Sequence, residues 1–89
     1  MHIEFDPAKN ERNILTRGLS FERAADFDFE TALIDIDERL DYGEVRMTAI
    51  GSLSGIIHVL IFTMRGDILR VVSFRKANKR EVRRYEQAT

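Results

Sequence analysis

The sequence predicts a small α+β domain in which a mostly antiparallel sheet carries two N-terminal helices and one C-terminal helix. Three features indicate this class: a helical segment with proline at its start and glycine at its end, a series of short apolar segments joined by tight links, and a charged amphipathic C-terminus. Because 89 residues provide for one hydrophobic core, we expect a single domain over residues 1–89. The expected order is β-α-α-β-β-β-β-α.

The first part of the chain predicts one strand and two helices. Residues 2–5 alternate in polarity, which is typical of a short strand. Asp6 and Pro7 then predict a helix start, because Asp6 can accept from a free amide and Pro7 lacks an amide that the first turn does not need. Gly18 is expected to end this helix in the left-handed conformation, and Ser20 to start the second helix. The apolar residues Phe21, Ala24, Ala25 and Phe29 follow Ser20 at helical spacing.

Four apolar segments in the middle of the chain predict strands over residues 32–36, 46–50, 56–64 and 68–74. The last three are joined by links at 52–55 and 65–67, short enough for hairpins, so we expect an antiparallel meander. The segment 56–64 is nearly all apolar, which indicates a central strand covered on both faces. Residues expected to be largely buried are Phe21, Leu33, Ile50, Val59, Ile61, Val71 and Tyr85.

The last segment predicts an amphipathic helix with one basic side. Asn78 and Glu81 have the spacing of a capping box, which places the helix start there. At about 100° per residue, the basic side chains fall within an arc of about 140°, and Val82 and Tyr85 lie on the other side, where they can pack on the sheet. The basic residues of this arc are Lys76, Lys79, Arg80, Arg83 and Arg84.

The charge is distributed unevenly along the chain. The net charge is −1, yet residues 65–84 hold eight basic and two acidic side chains, against six basic and thirteen acidic in the rest. A basic segment in a nearly neutral protein is typical of a surface for nucleic acid or for an acidic protein partner. A solvated helix without a partner is the alternative, since most runs of charge are solvated.

The composition also excludes several classes of site. There is no cysteine, so the chain has neither disulfides nor thiolate metal ligands. No apolar segment approaches the roughly 20 residues that cross a bilayer, and no signal peptide is evident, so we expect a cytoplasmic protein. No His, Asp and Glu set has metal-ligand spacing, and we expect neither a metal nor another cofactor.

Three stretches together resemble the BrnT family of type II toxins. The first, within residues 3–22, includes Ile3-Glu4-Phe5-Asp6-Pro7-Ala8-Lys9, Asn13 and Arg17-Gly18-Leu19-Ser20-Phe21-Glu22. The second is Glu44-Val45-Arg46-Met47-Thr48-Ala49-Ile50-Gly51. The third runs from Arg65-Gly66-Asp67 through Val71-Val72-Ser73-Phe74-Arg75-Lys76-Ala77 to Glu81 and Tyr85. The chain departs from the family pattern at Phe5, where tryptophan is usual, at Arg17, where histidine is usual, and at Phe74, where a small residue is usual.

The resemblance implies a fold similar to that of RelE-like ribonuclease toxins and an endoribonuclease that cleaves RNA to inhibit translation and growth. It also implies a neighbouring BrnA-like antitoxin of ribbon-helix-helix type, which neutralises the toxin and binds operator DNA to repress the pair's promoter. The RelE-like toxins rely on arginine and lysine for their chemistry. Because position 17 is arginine and not histidine, this chain lacks one residue that could act as an acid or base in catalysis.

RNA cleavage without a metal needs a base for the 2′-hydroxyl, cations for the developing charge on phosphate, and an acid for the leaving oxygen. Together with the resemblance, this need makes Arg75 and Lys76 catalytic candidates, because they lie where the last strand meets the last helix. Arg46 lies on a neighbouring strand and joins them if the register allows it. The alternatives are that Arg75 pairs with an acid or caps a carbonyl, and that Arg46 forms a cross-strand salt bridge.

The remaining basic residues are candidates for binding RNA or the antitoxin. This set comprises Arg65, Arg70, Ser73, Lys79, Arg80, Arg83 and Arg84, with Ser73 included because it shares a strand face with Arg75. No convincing base emerges, since Glu81 is better explained as a cap and His58 lies in an apolar strand. A non-catalytic module that binds nucleic acid or an acidic partner is therefore the competing function.

Overall fold

The computed structural model describes residues 2–37 and 43–89 and has an α+β architecture with one five-stranded sheet. The elements are β1 (His2–Glu4), α1 (Pro7–Arg17), a 3-10 helix (Phe21–Asp26), β2 (Leu33–Asp37), β3 (Arg46–Leu53), β4 (Ile56–Arg65), β5 (Ile68–Lys76) and α2 (Lys79–Ala88). This confirms the predicted class and element order. Within the described residues, no helix has the length and apolar character to span a membrane.

The sheet has the order β1-β5-β4-β3-β2 and is mixed. Strands β2 to β5 form the predicted antiparallel meander, whereas β1 pairs with β5 in parallel. A parallel pair needs a long crossover, and the chain between β1 and β5 provides one. The alternating pattern of residues 2–5 predicts a strand but does not identify its neighbour, which is why only the structure shows this pairing.

Helix α1 begins and ends as predicted. The Asp6 side chain accepts from the Ala8 amide at 3.0 Å, Pro7 is the first helical residue, and Gly18 ends the helix with a φ of 67°. Helix α1 is fixed to the sheet by Asn13, whose Nδ2 donates to the carbonyls of Leu19 at 2.9 Å and Phe74 at 3.0 Å. This side chain therefore links α1 both to the segment that follows it and to β5.

The second N-terminal helix is a 3-10 helix of six residues rather than the predicted α-helix. Ser20 caps it as predicted, because its hydroxyl accepts from the Glu22 amide at 3.2 Å. In a 3-10 helix the side chains at i and i+3 eclipse each other. Phe21, Ala24 and Phe27 have this spacing, and all three are buried. The tighter helix thus points Phe21 and Ala24 to one side, and Phe27, the extended residue that follows the helix, packs into the same cluster.

The two faces of the sheet are covered by different elements. On the first face, here called the core face, Ala49, Leu60, Phe62 and Phe74 pack with residues of the 3-10 helix in the main apolar cluster. On the second face, here called the α2 face, the register places side chains of β3, β4 and β5 that include Ile50, Val59, Ser73 and Arg75. Helix α2 contacts β3 and covers part of this face.

Most of the predicted burial is confirmed. Phe21, Ile50, Val59 and Val71 are buried, and three consecutive residues of β4, His58 to Leu60, confirm that this central strand is covered on both faces. The prediction was too strong for Leu33, Ile61 and Tyr85, which are only partly buried. Leu33 lies on an edge strand, and Tyr85 keeps its hydroxyl at the rim, where it donates to Thr31 at 3.3 Å.

Candidate functional site

Arg75, near the end of β5, is held by a carboxylate of α2. Its Nη1 and Nη2 donate to the two carboxylate oxygens of Glu81 at 2.8 and 2.9 Å, and the side chains are 30% and 20% exposed. Donating these hydrogen bonds to Glu81 raises the pKa of Arg75, and accepting them from Arg75 holds the pKa of Glu81 below its ordinary value. A planar two-bond pair of this kind is among the stronger charge-assisted contacts.

The same carboxylate also caps α2. Glu81 accepts from the Asn78 amide at 2.9 Å, and the Asn78 side chain accepts from the Glu81 amide at 2.9 Å, which confirms the predicted capping box. Arg75 additionally donates to the carbonyl of Lys76 at 3.3 Å. The pairing of Arg75 with an acid and with a carbonyl is the alternative that the sequence left open. Its catalytic role stays a prediction.

Lys76 follows Arg75 directly but lies on the other face of the sheet. The register pairs Arg75 with Val59 and Lys76 with His58, so the two cations project to opposite sides. Lys76 is exposed and forms no ion pair with any residue that the structure describes. The two strongest catalytic candidates therefore share one end of the sheet but cannot contact the same atom.

Arg46 lies at the opposite end of the sheet from Arg75. Ile50 pairs with Val59, which pairs with Arg75, so Arg46 is four residues farther along β3. At about 3.3 Å per residue this is roughly 13 Å along the strand, and β4 lies between them. The register therefore does not bring these two arginines to one phosphate. Glu44 is one neighbour of Arg46, with 3.9 Å between Oε1 of Glu44 and Nε of Arg46.

Arg46 instead joins two of the predicted binding residues, in a group that we call the arginine–glutamate cluster. It consists of Glu4, Glu44, Arg46, Arg65 and Arg70. Arg70 donates to Glu4 at 2.6 Å, and Arg65 lies 3.6 Å from both Glu4 and Glu44. Each glutamate thus lies between two arginines, and the cluster is close to charge balance.

Helix α2 presents its basic side to solvent, as predicted. Lys79, Arg80 and Arg83 are exposed and form no ion pair with the described residues, whereas Arg84 pairs with Asp35 of β2. Val82 and Tyr85 are half-buried on the opposite side of the helix. Ser73 lies on the α2 face opposite Ile61, which confirms that it shares a face with Arg75. Binding by these residues stays a prediction.

The acidic partners of Arg65 and Arg70 were not predicted from the sequence. Glu4 and Glu44 are far apart in sequence, and nothing in the chain indicates that β1 pairs with β5, so their meeting with Arg65 and Arg70 was not predictable. Its position in an apolar strand left His58 as either a core or an edge histidine; the structure buries it, and the register also makes it the neighbour of Lys76. Among the residues that the structure describes, no group of three or more His, Asp or Glu is arranged for a metal ion.

Comparison with protein families assigns the chain to a known class. The family model described as "Ribonuclease toxin, BrnT, of type II toxin-antitoxin system" matches residues 5–81, which is most of the chain. The comparison with curated proteins finds no match. A type II system pairs its toxin with a protein antitoxin, so the family implies such a partner. The resemblance inferred from three sequence stretches is confirmed, and the chain belongs to the BrnT family of ribonuclease toxins of type II toxin–antitoxin systems.

Proposed function

We propose that this chain is a cytoplasmic endoribonuclease that inhibits translation and growth by cleaving RNA. The observation that carries the proposal is the family match over residues 5–81. A BrnA-like ribbon-helix-helix antitoxin neutralises it, and the complex binds operator DNA through the antitoxin to repress its own promoter. A fold relation to RelE-like toxins belongs to the same proposal.

The chemistry that we propose uses cations without a metal. A phosphate presents two oxygens in the spacing of a carboxylate, so the planar guanidinium of Arg75 can exchange Glu81 for a phosphate of the substrate. Lys76 and Arg46 act on other phosphates of the strand, since Lys76 lies on the opposite face of the sheet and Arg46 lies roughly 13 Å along the strands from Arg75. A cation already positioned where charge develops lowers the barrier without reorganisation.

Two variants that break the same ion pair test the role of Arg75. Arg75→Ala removes the cation, and Glu81→Gln removes only its counter-charge, so their effects on folding should be comparable. If Arg75 stabilises the transition state, Arg75→Ala lowers the RNA cleavage rate about 10²- to 10³-fold. Glu81→Gln keeps most of the activity, since it leaves the guanidinium in place. Cleavage of a labelled RNA and thermal melting are measured for both.

Equal loss of activity in the two variants, matched by equal loss of stability, would show that the pair only joins β5 to α2. Lys76→Ala and Arg46→Ala are measured in the same assay to compare the two ends of the sheet. Cleavage in the presence of EDTA tests metal independence. A wild-type chain that neither arrests growth nor cleaves RNA would favour the competing function, a non-catalytic binding module.

The basic side of α2 is proposed to bind the RNA backbone and an acidic segment of the antitoxin. Replacing Arg80, Arg83 and Arg84 together by glutamine removes three charges from exposed positions. Each lost phosphate contact reduces the slope of log K against log salt by about 0.7 for a single strand, so the slope should fall by up to about 2. Titrations at several salt concentrations measure it, and an unchanged slope for both RNA and antitoxin contradicts the proposal.

A further inference from the structure

A cleft opens at the junction of β4, β5 and the C-terminal end of α1, on the core face of the sheet. Its volume is about 460 Å³, and its lining includes Arg17, Arg23, Leu53, Ile56, His58 and Lys76. This is the end of the sheet at which Arg75 lies, but the cleft is on the opposite face. None of these lining residues other than Lys76 belongs to the predicted site.

The cleft carries positive charge that no carboxylate among its lining residues balances. Arg17 and Lys76 are exposed, and neither forms an ion pair with a described residue. Arg23 is oriented by the hairpin between β3 and β4, because its Nη2 donates to the Ser54 hydroxyl at 3.0 Å, and its other neighbour is Asp26 at 4.0 Å. Three cations therefore surround a concave space, the arrangement that attracts a phosphate group.

His58 lies beside this charge. It is only 4% exposed, yet it lines the cleft and lies directly opposite Lys76 on β5. Its Nδ1 is 2.8 Å from the carbonyl of Ile56, and since a carbonyl can only accept, Nδ1 carries the hydrogen. In the neutral ring Nε2 is then the acceptor. The ring is packed against Phe74 with 5.6 Å between centroids, which holds its orientation.

The rest of the lining is apolar. Leu19 and Leu53 are buried members of the core cluster, and Ile56 is half exposed at the rim. An apolar floor beneath a cationic rim suits a ligand with a flat apolar part and an attached anion. A volume of 460 Å³ lies within the range of small-molecule sites and is large enough for one nucleotide.

We propose that this cleft binds one nucleotide of single-stranded RNA. Arg17 and Lys76 contact its phosphates, the base lies on the apolar floor, and Nε2 of His58 accepts a hydrogen bond from the nucleotide. The choice of RNA as ligand rests on the proposed ribonuclease function. The cleft and Arg75 lie on opposite faces at one end of the sheet, so an RNA strand that passes over this end contacts both.

The test measures binding of a 2′-fluoro pentanucleotide, which lacks the 2′-hydroxyl nucleophile and stays intact. Arg17→Ala combined with Lys76→Ala should weaken binding about tenfold at low salt and reduce the salt slope by about 1.4, or 0.7 per phosphate contact. The matched control combines Lys9→Ala with Arg12→Ala, which removes two cations of α1 that do not line this cleft and should change binding about twofold or less. Ile56→Glu adds an anion at the exposed rim and should weaken binding at least as much.

A second readout locates the ligand. With His2→Ala, His58 is the only histidine, and its imidazole NMR signals should shift on titration with the pentanucleotide. The proposal is overturned if the cleft and control variants lose equal affinity for the pentanucleotide, or if the His58 signals do not move at saturation. Retained RNA cleavage with no binding at the cleft refutes this inference alone. Binding at the cleft without any RNA cleavage or growth arrest refutes the proposed function and leaves a nucleotide-binding cleft.

Discussion

The two ends of the sheet carry arginines and lysines in opposite electrostatic situations. At one end, the arginine–glutamate cluster places two carboxylates among three guanidinium groups. At the other end, Arg75 is paired with Glu81, but Lys76 and Arg17 lie beside a cleft with no carboxylate in its lining. At the first end two carboxylates offset most of the charge of three guanidinium groups, whereas unbalanced positive charge in a concave site attracts an anion.

The number of cations along the chain does not locate a site. Arg65, Arg70, Arg75 and Lys76 all belong to the same basic segment. The register and the direction of β1 decide which of them meets a carboxylate, and the alternation of the strand sends Arg75 and Lys76 to different faces.

The largest effect is expected from Phe74→Ala, beneath the cleft. Phe74 is fully buried and its ring contacts Phe27 and His58, so its removal leaves a cavity in the core. The free energy of unfolding should fall by about 3–5 kcal/mol. Urea denaturation measures it, with Leu15→Ala as control, because Leu15 is 86% exposed and should change stability by less than about 0.5 kcal/mol. A similar loss in both variants contradicts the core assignment.

Gly51→Ala should have the next largest effect. Gly51 pairs with His58, and an added Cβ would lie 2.8 Å from the Phe27 ring and 2.9 Å from Cβ of Ala32. Overpacking of this kind costs about 1–3 kcal/mol of unfolding free energy. Combining it with Ala32→Gly should recover part of the loss, which a double-mutant cycle measures. Additive losses would show that the two positions do not meet.

Removing the cap of α2 should cost less. Asn78→Ala removes the side chain that accepts from the Glu81 amide, and a lost N-cap lowers the free energy of unfolding by about 1 kcal/mol. Asn78→Asp retains the acceptor and serves as the control in thermal melts. Equal melting temperatures for the wild type and Asn78→Ala would show that packing alone holds α2 on the sheet.

Acidification should lower the free energy of unfolding by protonating Glu81, which pairs with Arg75. Because its pKa is lower in the folded state than its ordinary value of 4.5, its contribution is complete above about that pH and is lost as the pH falls through the lowered pKa. Glu81→Gln should therefore narrow the stability difference between pH 7 and acid, as measured by urea denaturation at each pH. An identical pH profile for the wild type and the variant would contradict this.

The smallest effect on stability is expected in the arginine–glutamate cluster. Glu4→Gln weakens the contacts with Arg65 and Arg70, but these side chains are about a third to a half exposed, so stability should change by about 0–1 kcal/mol. The difference from wild type should shrink further at high salt, because exposed pairs are screened. A loss larger than that of Asn78→Ala would reverse the ranking of the two ends.

Much of the fold was predictable because its signals are local. Caps at Asp6, Ser20 and Asn78, the helix end at Gly18 and the hairpin links depend on residues within a few positions of each other. The 3-10 form of the second helix was not predicted, because Phe21, Ala24, Ala25 and Phe29 have α-helical spacing, whereas in the structure Ala25 is exposed and the helix ends at Asp26, before Phe29. The core that Phe21 and Ala24 enter decided between the two types.

The sequence by itself determined the α+β class, the element order, the basic side of α2 and the family. These follow from periodicity, capping residues and motifs, which are properties of neighbouring residues. Only the tertiary structure decided that Glu81 pairs with Arg75, that Glu4 and Glu44 pair with the arginines of the arginine–glutamate cluster, and that His58 and Lys76 line one cleft. Each of these contacts depends on strand register or on packing between elements, and neither is encoded in the spacing of residues along the chain.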